Sequence, residues 1–392
     1  MANLKKCNSC LLPETYETIE FDTQGVCNVC RSKEFRDEKI QWDIRKKQLD
    51  HLIDENRGKY DYDCIIPFSG GKDSTYTVWY LMNEYKIKPL VVRFDHGFMR
   101  DTLVENNTRT FKKLGVDVLN FTPNWKVVKR LMLESLRRKG DFCWHCHTGI
   151  FSYPMHVAIR YAVPLVFWGE PSSEYTQYYD YKEDEIEEVD ETRFNRFVNL
   201  GITAEDMAGM ISGDFALDPR DLTPYTYPKL RDLKRLNYRS VCLGSYISWD
   251  VKKNVDIIQR ELGWKGDQVE GMPWDVYPYE KIECYMQGMR DYIKYLKRGY
   301  SRVSQMVALD LRNGRITKED AEHLVSTYEG RKPPSLEIFL DYVGLTEGEF
   351  NEIVGKTVVA PHQPNFDSNE WAPKTWDFDS WYRENNPANP AK

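Results

Sequence analysis

The sequence predicts an α/β fold: a mostly parallel sheet covered by helices, between a small cysteine-bearing module and a mainly helical C-terminal region. Three observations lead there. From residue 61 onward, short apolar runs alternate with helical stretches, the pattern of a parallel sheet with helices on both faces. The first apolar run breaks into Ser69-Gly70-Gly71-Lys72-Asp73-Ser74 and passes directly into a helix. Two Cys-x-x-Cys pairs, Cys7/Cys10 and Cys27/Cys30, precede this core with sixteen residues between them.

The elements follow in order. Residues 1–35 form the cysteine module, and 19–26 reads as a hairpin that places the second cysteine pair on a turn. Residues 41–56 form a charged connecting helix with an apolar stripe of Trp42, Ile44, Leu49, Leu52 and Ile53. Strands are predicted at 64–68, 89–94, 116–121 and 164–168, with helices at 75–85, 102–114, 126–138 and 148–161 between them. This core domain spans 36–250. It includes an acidic stretch at 180–191, read as a solvated insertion, and a Gly/Asp/Pro-rich loop at 209–228. The C-terminal region, 251–392, carries helices at 252–262, 285–298, 315–328 and 334–343. Its tail contains Trp371, Trp376 and Trp381, too aromatic for simple disorder, so it is expected to pack on the body or on a partner.

Composition narrows the classes. A net charge of −7 over 392 residues argues against a dominant nucleic-acid surface. No apolar run reaches membrane-spanning length, and the N-terminus lacks a signal-peptide core, so a cytoplasmic protein with no membrane partner is expected. Of nine cysteines, six sit in Cys-x-x-Cys pairs, which fits metal binding in a reducing compartment better than a disulfide framework.

The chemistry concentrates in four places. Glycines where a strand meets a helix let backbone N–H groups approach an anion, and the helix presents its positive end there. Residues 69–74 are therefore a phosphate cradle, although a plain connecting turn has the same outline. It is not a Walker A loop, because Asp73 stands where Ser or Thr would hold magnesium. Asp95 and Gly169-Glu170 close neighbouring strands at the same sheet edge. Asp95 is placed for ribose or adenine, and Glu170 for magnesium or substrate; ordinary loop roles stay open for both. Cys7, Cys10, Cys27 and Cys30 have the spacing of a four-thiolate zinc ribbon, a structural Zn2+ site.

Cys143 and Cys146, with His145 and His147, form a second cluster in a loop near that edge. Zinc, an iron–sulfur cluster completed by Cys242 or Cys284, and reduced packed thiols all fit it. Finally, Lys252 and Lys253 begin one helix, while Arg290, Lys294 and Arg298 share a face of another that leads to Arg302. They form either a solvated cationic face or a clamp for an anionic substrate.

Ser69–Ser74 resembles the pyrophosphate loop of the ATP pyrophosphatases, whose core is adenine nucleotide α-hydrolase-like. The resemblance becomes more specific when the motifs are taken in order. Both Cys-x-x-Cys pairs, 69–74, Phe94-Asp-His-Gly-Phe98 and 143–149 are followed by Trp168-Gly-Glu-Pro171 with Glu174-Tyr175. Trp249-Asp-Val-Lys-Lys-Asn254, Lys297-Arg-Gly-Tyr-Ser-Arg302 and 310–317 complete the set. Over roughly residues 5–355 this is similar to the N-acetyl sugar amidotransferases of bacterial surface-polysaccharide and nonulosonate pathways. One departure is Glu170-Pro171, where an Asn is expected between the two.

The resemblance implies an ATP-dependent enzyme that turns an acetamido group of an acidic sugar into an acetamidino group through an O-adenylyl imidate. It implies ATP and Mg2+ held by Ser69, Gly70, Gly71, Lys72, Asp73, Ser74, Asp95 and Gly169, with Lys72, Asp73 and Glu170 catalytic. Lys252, Lys253, Arg298 and Arg302 would bind the sugar. Residue 2 is Ala and no glutaminase-like segment is evident, so ammonia is expected from a separate glutaminase with a cyclase-like delivering subunit. The rival readings are an RNA-thiolating pyrophosphatase with a cluster at Cys143/Cys146, and a non-catalytic zinc-ribbon adaptor.

Overall fold

Five short parallel strands form the centre of the computed structural model, which describes residues 4–171, 182, 184–188, 190–211 and 216–375. They are β1 (Cys64–Pro67), β2 (Pro89–Phe94), β3 (Asp117–Phe121), β4 (Leu165–Trp168) and β5 (Arg239–Cys242), in the spatial order β3-β2-β1-β4-β5. The chain builds outward from β1 to β3, then returns to the other side of β1. The place where the direction reverses lies between β1 and β4, and ligands of such sheets bind there, beyond the strand C-termini. Residues 69–74 follow β1, and Gly169-Glu170 follow β4.

Alternating side chains make both faces of the sheet apolar. Ile65, Leu90, Val92 and Val166 meet Val157 and Ala158 on one side. Cys64, Ile66, Val91, Leu165 and Phe167 join the larger core on the other.

Fourteen helices bear on the argument. Before and within the sheet come α1 (Asn28–Lys39), α2 (Trp42–Asp54), α3 (Lys72–Tyr85), α4 (Asp101–Leu114), α5 (Trp125–Lys139), α6 (Trp144–Tyr161), α7 (Ala204–Met210) and α8 (Leu230–Leu236). After it come α9 (Val251–Leu262), α10 (Gln287–Arg298), α11 (Arg302–Arg312), α12 (Lys318–Tyr328), α13 (Leu336–Val343) and α14 (Glu347–Gly355). Helices α10, α13 and α14 bury Met289, Phe339 and Phe350 with Val128, Met132 and Leu136 of α5, so the C-terminal region shares a core with the sheet-bearing part of the chain.

Several sequence expectations change. Residues 19–26 form no strands, only an antiparallel bridge between Phe21 and Cys27, and Cys30 lies in the first turn of α1. Cys143 is the N-cap of α6 and Cys146 lies in its first turn, not in a loop. Within 209–228 a 3-10 helix, Pro219–Tyr225, buries Leu222 and Tyr225. Strand β5 and helices α1, α7, α8, α11 and α14 were not anticipated. Trp371 is held by a bridge to Lys332, whose ammonium sits 5.8 Å from the indole centroid, whereas Trp376 and Trp381 lie outside the described residues. Glu174, Tyr175 and residues 180, 181, 183 and 189 also fall outside them. No described helix is long and apolar enough to cross a membrane.

The four ribbon sulfurs lie within 4.8 Å of one another, with Cys7–Cys30 at 3.9 Å, Cys10–Cys27 at 3.6 Å and Cys27–Cys30 at 3.7 Å. Tetrahedral Zn–S bonds of about 2.3 Å require S···S spacings near 3.8 Å, so the thiols fit a Zn2+ ion. The N–H groups of Ser9, Cys10 and Cys27 donate to Cys7 Sγ, as suits a thiolate ligand. The module packs on the C-terminal region, with Tyr16 and Tyr300 ring centroids 5.3 Å apart. Purified protein is expected to carry about one tightly bound zinc, and Cys27→Ser to lose it with a fall of several degrees in thermal midpoint. Unchanged metal content in that variant would contradict the assignment.

Candidate nucleotide and anion site

The loop after β1 closes on itself. Ser69 Oγ and Ser74 Oγ are 3.2 Å apart, Gly70 N donates to Ser74 Oγ (3.1 Å) and Gly71 N to Ser69 Oγ (3.2 Å). Gly70 has φ +89°, and a Cβ there would come within 2.1 Å of Asn107 Oδ1; one on Gly71 would come within 1.9 Å of Glu283 Oε1. At Gly70 the left-handed backbone requires glycine, whereas a side chain at Gly71 would have to displace the Glu283 carboxylate. Trp264 Nε1, from the C-terminal region, donates to Gly70 O at 3.1 Å. The result is a set of N–H groups at the start of α3, with the buried and unpartnered Asn107 amide beside it.

Lys72 begins α3 and is only 3% exposed. Its ammonium lies 2.7 Å from Asp73 Oδ2 and 3.0 Å from Glu280 Oε2. Beyond Glu280 stands Arg302, at 3.6 Å, which also faces Asp291 at 3.7 Å. Across the loop Glu170 pairs with Lys281 at 3.6 Å. Burial, and after it the charge of Glu170, push Asp73 up to about 8. Burial works against Glu170 as well, but Lys281 and Lys72 hold it down to about 2. Asp73 Oδ1 and Glu170 Oε2 are buried without a hydrogen-bond partner. Two neighbouring carboxylates with free oxygens beside a phosphate cradle fit Mg2+, a hard cation that takes one or two carboxylates plus phosphate oxygens.

Arg302 also lines a cavity of about 280 Å³, whose wall carries Lys139, Arg196, Arg290, Lys294, Lys297 and Arg298 against only Glu17, Asp141 and Asp291. Seven cations facing three carboxylates give it a positive wall, suited to an anion. Glu17 comes from the zinc-ribbon module. It faces Arg298 at 3.3 Å and Lys294 at 3.8 Å and accepts from the Tyr300 hydroxyl. Arg298 also donates to Thr15 O at 2.6 Å. Burial, only partly offset by Glu17, brings Lys294 down to about 8.

Cys143, Cys146 and Cys284 adjoin this wall. Burial raises all three thiols against the opposing charge of Arg290; Cys146 and Cys284 raise Cys143 further, and Cys284 raises Cys146. Arg290 feels Cys143, Asp141 and Cys146. Cys284 follows Glu283, whose side chain lies over Gly71, so the thiols border the phosphate loop. Burial and neighbouring cationic groups bring His145 and His147 down to about 3, so both imidazoles are neutral at pH 7. Cys242 is elsewhere, donating to Gly169 O (3.0 Å) and Glu170 O (2.8 Å). Among the described residues only the ribbon cysteines close to within 4.8 Å, so the second cluster lacks the compactness of a single-ion site.

Residues 69–74, Gly169 and Glu170 thus come together. Gly169 packs against α3, where a Cβ would meet Thr77 Oγ1 at 2.7 Å. Asp95 ends β2, accepting from Gly97 N (2.8 Å) and Thr122 Oγ1 (3.2 Å), which organises its loop. Arg298 and Arg302 reach the anion cavity. Lys252 and Lys253 do not line it: Lys252 pairs with Asp310 at 3.0 Å, and Lys253 is largely exposed beside Asp250 at 3.9 Å. Glu280, Lys281, Glu283, Asn107, Glu17 and Arg196 went unnoticed because they lie in irregular or distant segments with no motif of their own. The acid–base run Glu280-Lys281-Ile282-Glu283-Cys284 was the available signal.

Comparison with known proteins bears on the same residues. Residues 277–379 match the family described as the LPS biosynthesis protein WbpG-like, C-terminal domain. The cations from Arg290 to Arg302 fall inside this stretch. An uncharacterised protein of Methanocaldococcus jannaschii is 26% identical over 145 residues, 36% of this chain, and the chain spans about half of that relative's length (50%). Among solved structures, NMN synthetase from Francisella tularensis aligns with TM-score 0.32 and 11% identity over 76% of this chain and 96% of its own. The U34-tRNA thiolase NcsA from Methanococcus maripaludis, with its [4Fe-4S] cluster, aligns with TM-score 0.29 and 13% identity over 82% and 90%.

Two outcomes test the geometry. Gly70→Ala, which forces a side chain into a left-handed conformation against Asn107, is expected to weaken binding of α,β-methylene-ATP at least about tenfold, or 1.4 kcal/mol, with the far-UV circular dichroism unchanged. Undiminished binding would remove the loop from the site. Because Lys294 loses its proton above about 8, the cavity loses positive charge as pH rises through that value. Sulfate, whose charge is constant, should therefore bind more weakly at about pH 9 than at about pH 7, and Lys294→Met should flatten the profile. A flat profile in the unsubstituted protein would contradict the assignment.

Proposed function

We propose that this protein is an ATP-dependent, AMP- and pyrophosphate-forming amidotransferase that converts an acetamido group of an acidic surface-polysaccharide sugar precursor into an acetamidino group. The observation that carries this reading is the cationic cavity joined to the phosphate loop through Lys72, Glu280 and Arg302. Its cationic helix lies in the segment that matches a lipopolysaccharide-biosynthesis domain.

The chemistry solves a leaving-group problem. An amide oxygen does not depart as such. In the proposed reaction it attacks the α-phosphorus of ATP, and the bond to pyrophosphate breaks. Ammonia adds to the carbon of the resulting O-adenylyl imidate, the C–O bond breaks, and AMP leaves with the former amide oxygen. Protons lost by nitrogen pass to solvent. In this scheme the loop N–H groups, Ser69 and Ser74 hold the departing phosphates, and Lys72 offsets their growing charge. Asp73 and Glu170 would hold Mg2+, which neutralises the phosphates when bound. Asp95 borders the nucleoside. Arg290, Lys294, Arg298 and Arg302 hold the anion of the sugar. Ammonia comes, on this reading, from a partner glutaminase through a cyclase-like subunit.

Incubating candidate acetamido sugars with ATP, Mg2+ and ammonium should replace one oxygen by NH in mass spectra of one of them, and Lys72→Ala should abolish both that product and AMP. Persistent AMP formation in Lys72→Ala would refute the role of Lys72.

The three thiols support a second metal group, an iron–sulfur cluster held by Cys143, Cys146 and Cys284 in place of Cys242, as an RNA-thiolating enzyme would also need. Anaerobically purified protein should then contain iron and sulfide that Cys143→Ser and Cys284→Ser remove. Equal metal content in these variants would leave the thiols as packing, and salt-dependent tRNA binding would favour thiolation over sugar chemistry.

A further inference from the structure

Glu280 has no exposed surface, yet it carries a charge that no motif explains. One carboxylate oxygen faces Lys72 Nζ at 3.0 Å and the other faces Arg302 Nη1 at 3.6 Å. Neither oxygen has a hydrogen-bond partner. The next residue, Lys281, adopts φ +50°, a left-handed conformation that non-glycine residues rarely take. That kink lets adjacent residues serve different neighbours, Glu280 facing Lys72 and Arg302 while Lys281 faces Glu170 at 3.6 Å. Local strain of this kind persists where the surroundings over-determine it, and it clusters at functional sites. Lys72 belongs to the phosphate loop, and Arg302 lines the anion cavity.

We propose that Glu280 is a positioning residue, the shared counter-ion of the two sites, through which a charge change at the anion cavity alters nucleotide binding at the phosphate loop. In the free protein one carboxylate is divided between two cations. If Arg302 is removed, more of that negative charge acts on Lys72 and the phosphates beyond it, with Lys281 still offsetting part of it. If the charge of Glu280 is removed, Lys72 keeps Asp73 and Arg302 keeps Asp291, and each attracts its own anion more strongly. Coupling of this form is reciprocal between binding equilibria. The inference rests on the reading of residues 69–74 as the ATP loop, but not on which sugar is used or on amidine formation.

The test is a double-mutant cycle on the full-length protein, read as the dissociation constant of α,β-methylene-ATP with Mg2+. Glu280→Gln is expected to tighten binding severalfold. Arg302→Met is expected to weaken it about fivefold or more in the unsubstituted protein and less than about twofold in the Glu280→Gln background. A purely structural role for Glu280 would loosen binding, and it would leave the Arg302→Met effect equal in both backgrounds; either result overturns the proposal. Should Glu280→Gln not fold, Glu280→Asp draws the carboxylate back by one methylene from both cations, and the Arg302→Met effect must shrink there too. Lys72→Ala separates the two failures. If it leaves analogue binding intact, the ATP-loop reading is wrong; if it abolishes binding while the cycle is additive, the coupling alone is wrong.

Discussion

A lysine ammonium buried between two carboxylates is the constraint on which the site depends. A charge taken out of water costs several kcal/mol unless it is paired, and breaking a buried pair by removing one partner costs about 3–5 kcal/mol. Lys72 therefore needs both Asp73, its neighbour in sequence, and Glu280, more than two hundred residues away. The C-terminal region thus supplies part of the surroundings of the loop at residues 69–74. Trp264 and Glu283 reinforce the same dependence, one bonded to Gly70 and the other packed over Gly71. What reads in the sequence as a nucleotide domain followed by a helical appendage is one site built from both.

The zinc-ribbon module enters that site from the other side. Its metal-fitting cysteines are remote from the loop, but Thr15 and Glu17, between the two pairs, seat Arg298 and Lys294 at the cavity wall. A module too small for its own core, whose four cysteines fit a metal ion, packs Tyr16 against Tyr300 and supplies a counter-charge to a densely cationic pocket. The reaction we propose needs such a division. Adenylation demands a rigid electropositive cradle, while selection of an acidic sugar demands a separate concentration of cations.

Legibility in the sequence followed the range of the interactions. Strands β1 to β4 and their helices were evident because apolar alternation is a local signal, as was the turn at residues 69–74, whose glycines and serines act on their own backbone. Strand β5 was missed because four residues, Arg239 to Cys242, show no period, and they become a strand only by pairing with β4. The Cys143 segment was read as a loop because its cysteines and histidines lack the usual helix-start signals, yet Cys143 caps α6. The basic face of α10 was visible from its spacing, but its partners were not. Lys252 looked equivalent to Arg298 by charge and helix position, and only the fold shows one paired with Asp310 and the other lining the cavity. Glu280 showed only as part of the acid–base run 280–284, and its meaning lies wholly in what it contacts.

The central claim, that an amide oxygen is activated by transfer of AMP, is most directly tested by following that oxygen. A sugar substrate labelled with ¹⁸O in its acetamido carbonyl, turned over with ATP, Mg2+ and ammonium, should yield an amidine without label and AMP carrying one ¹⁸O in its phosphate. Unlabelled AMP formed alongside the amidine would mean that the oxygen left by another route, and would contradict the adenylyl imidate.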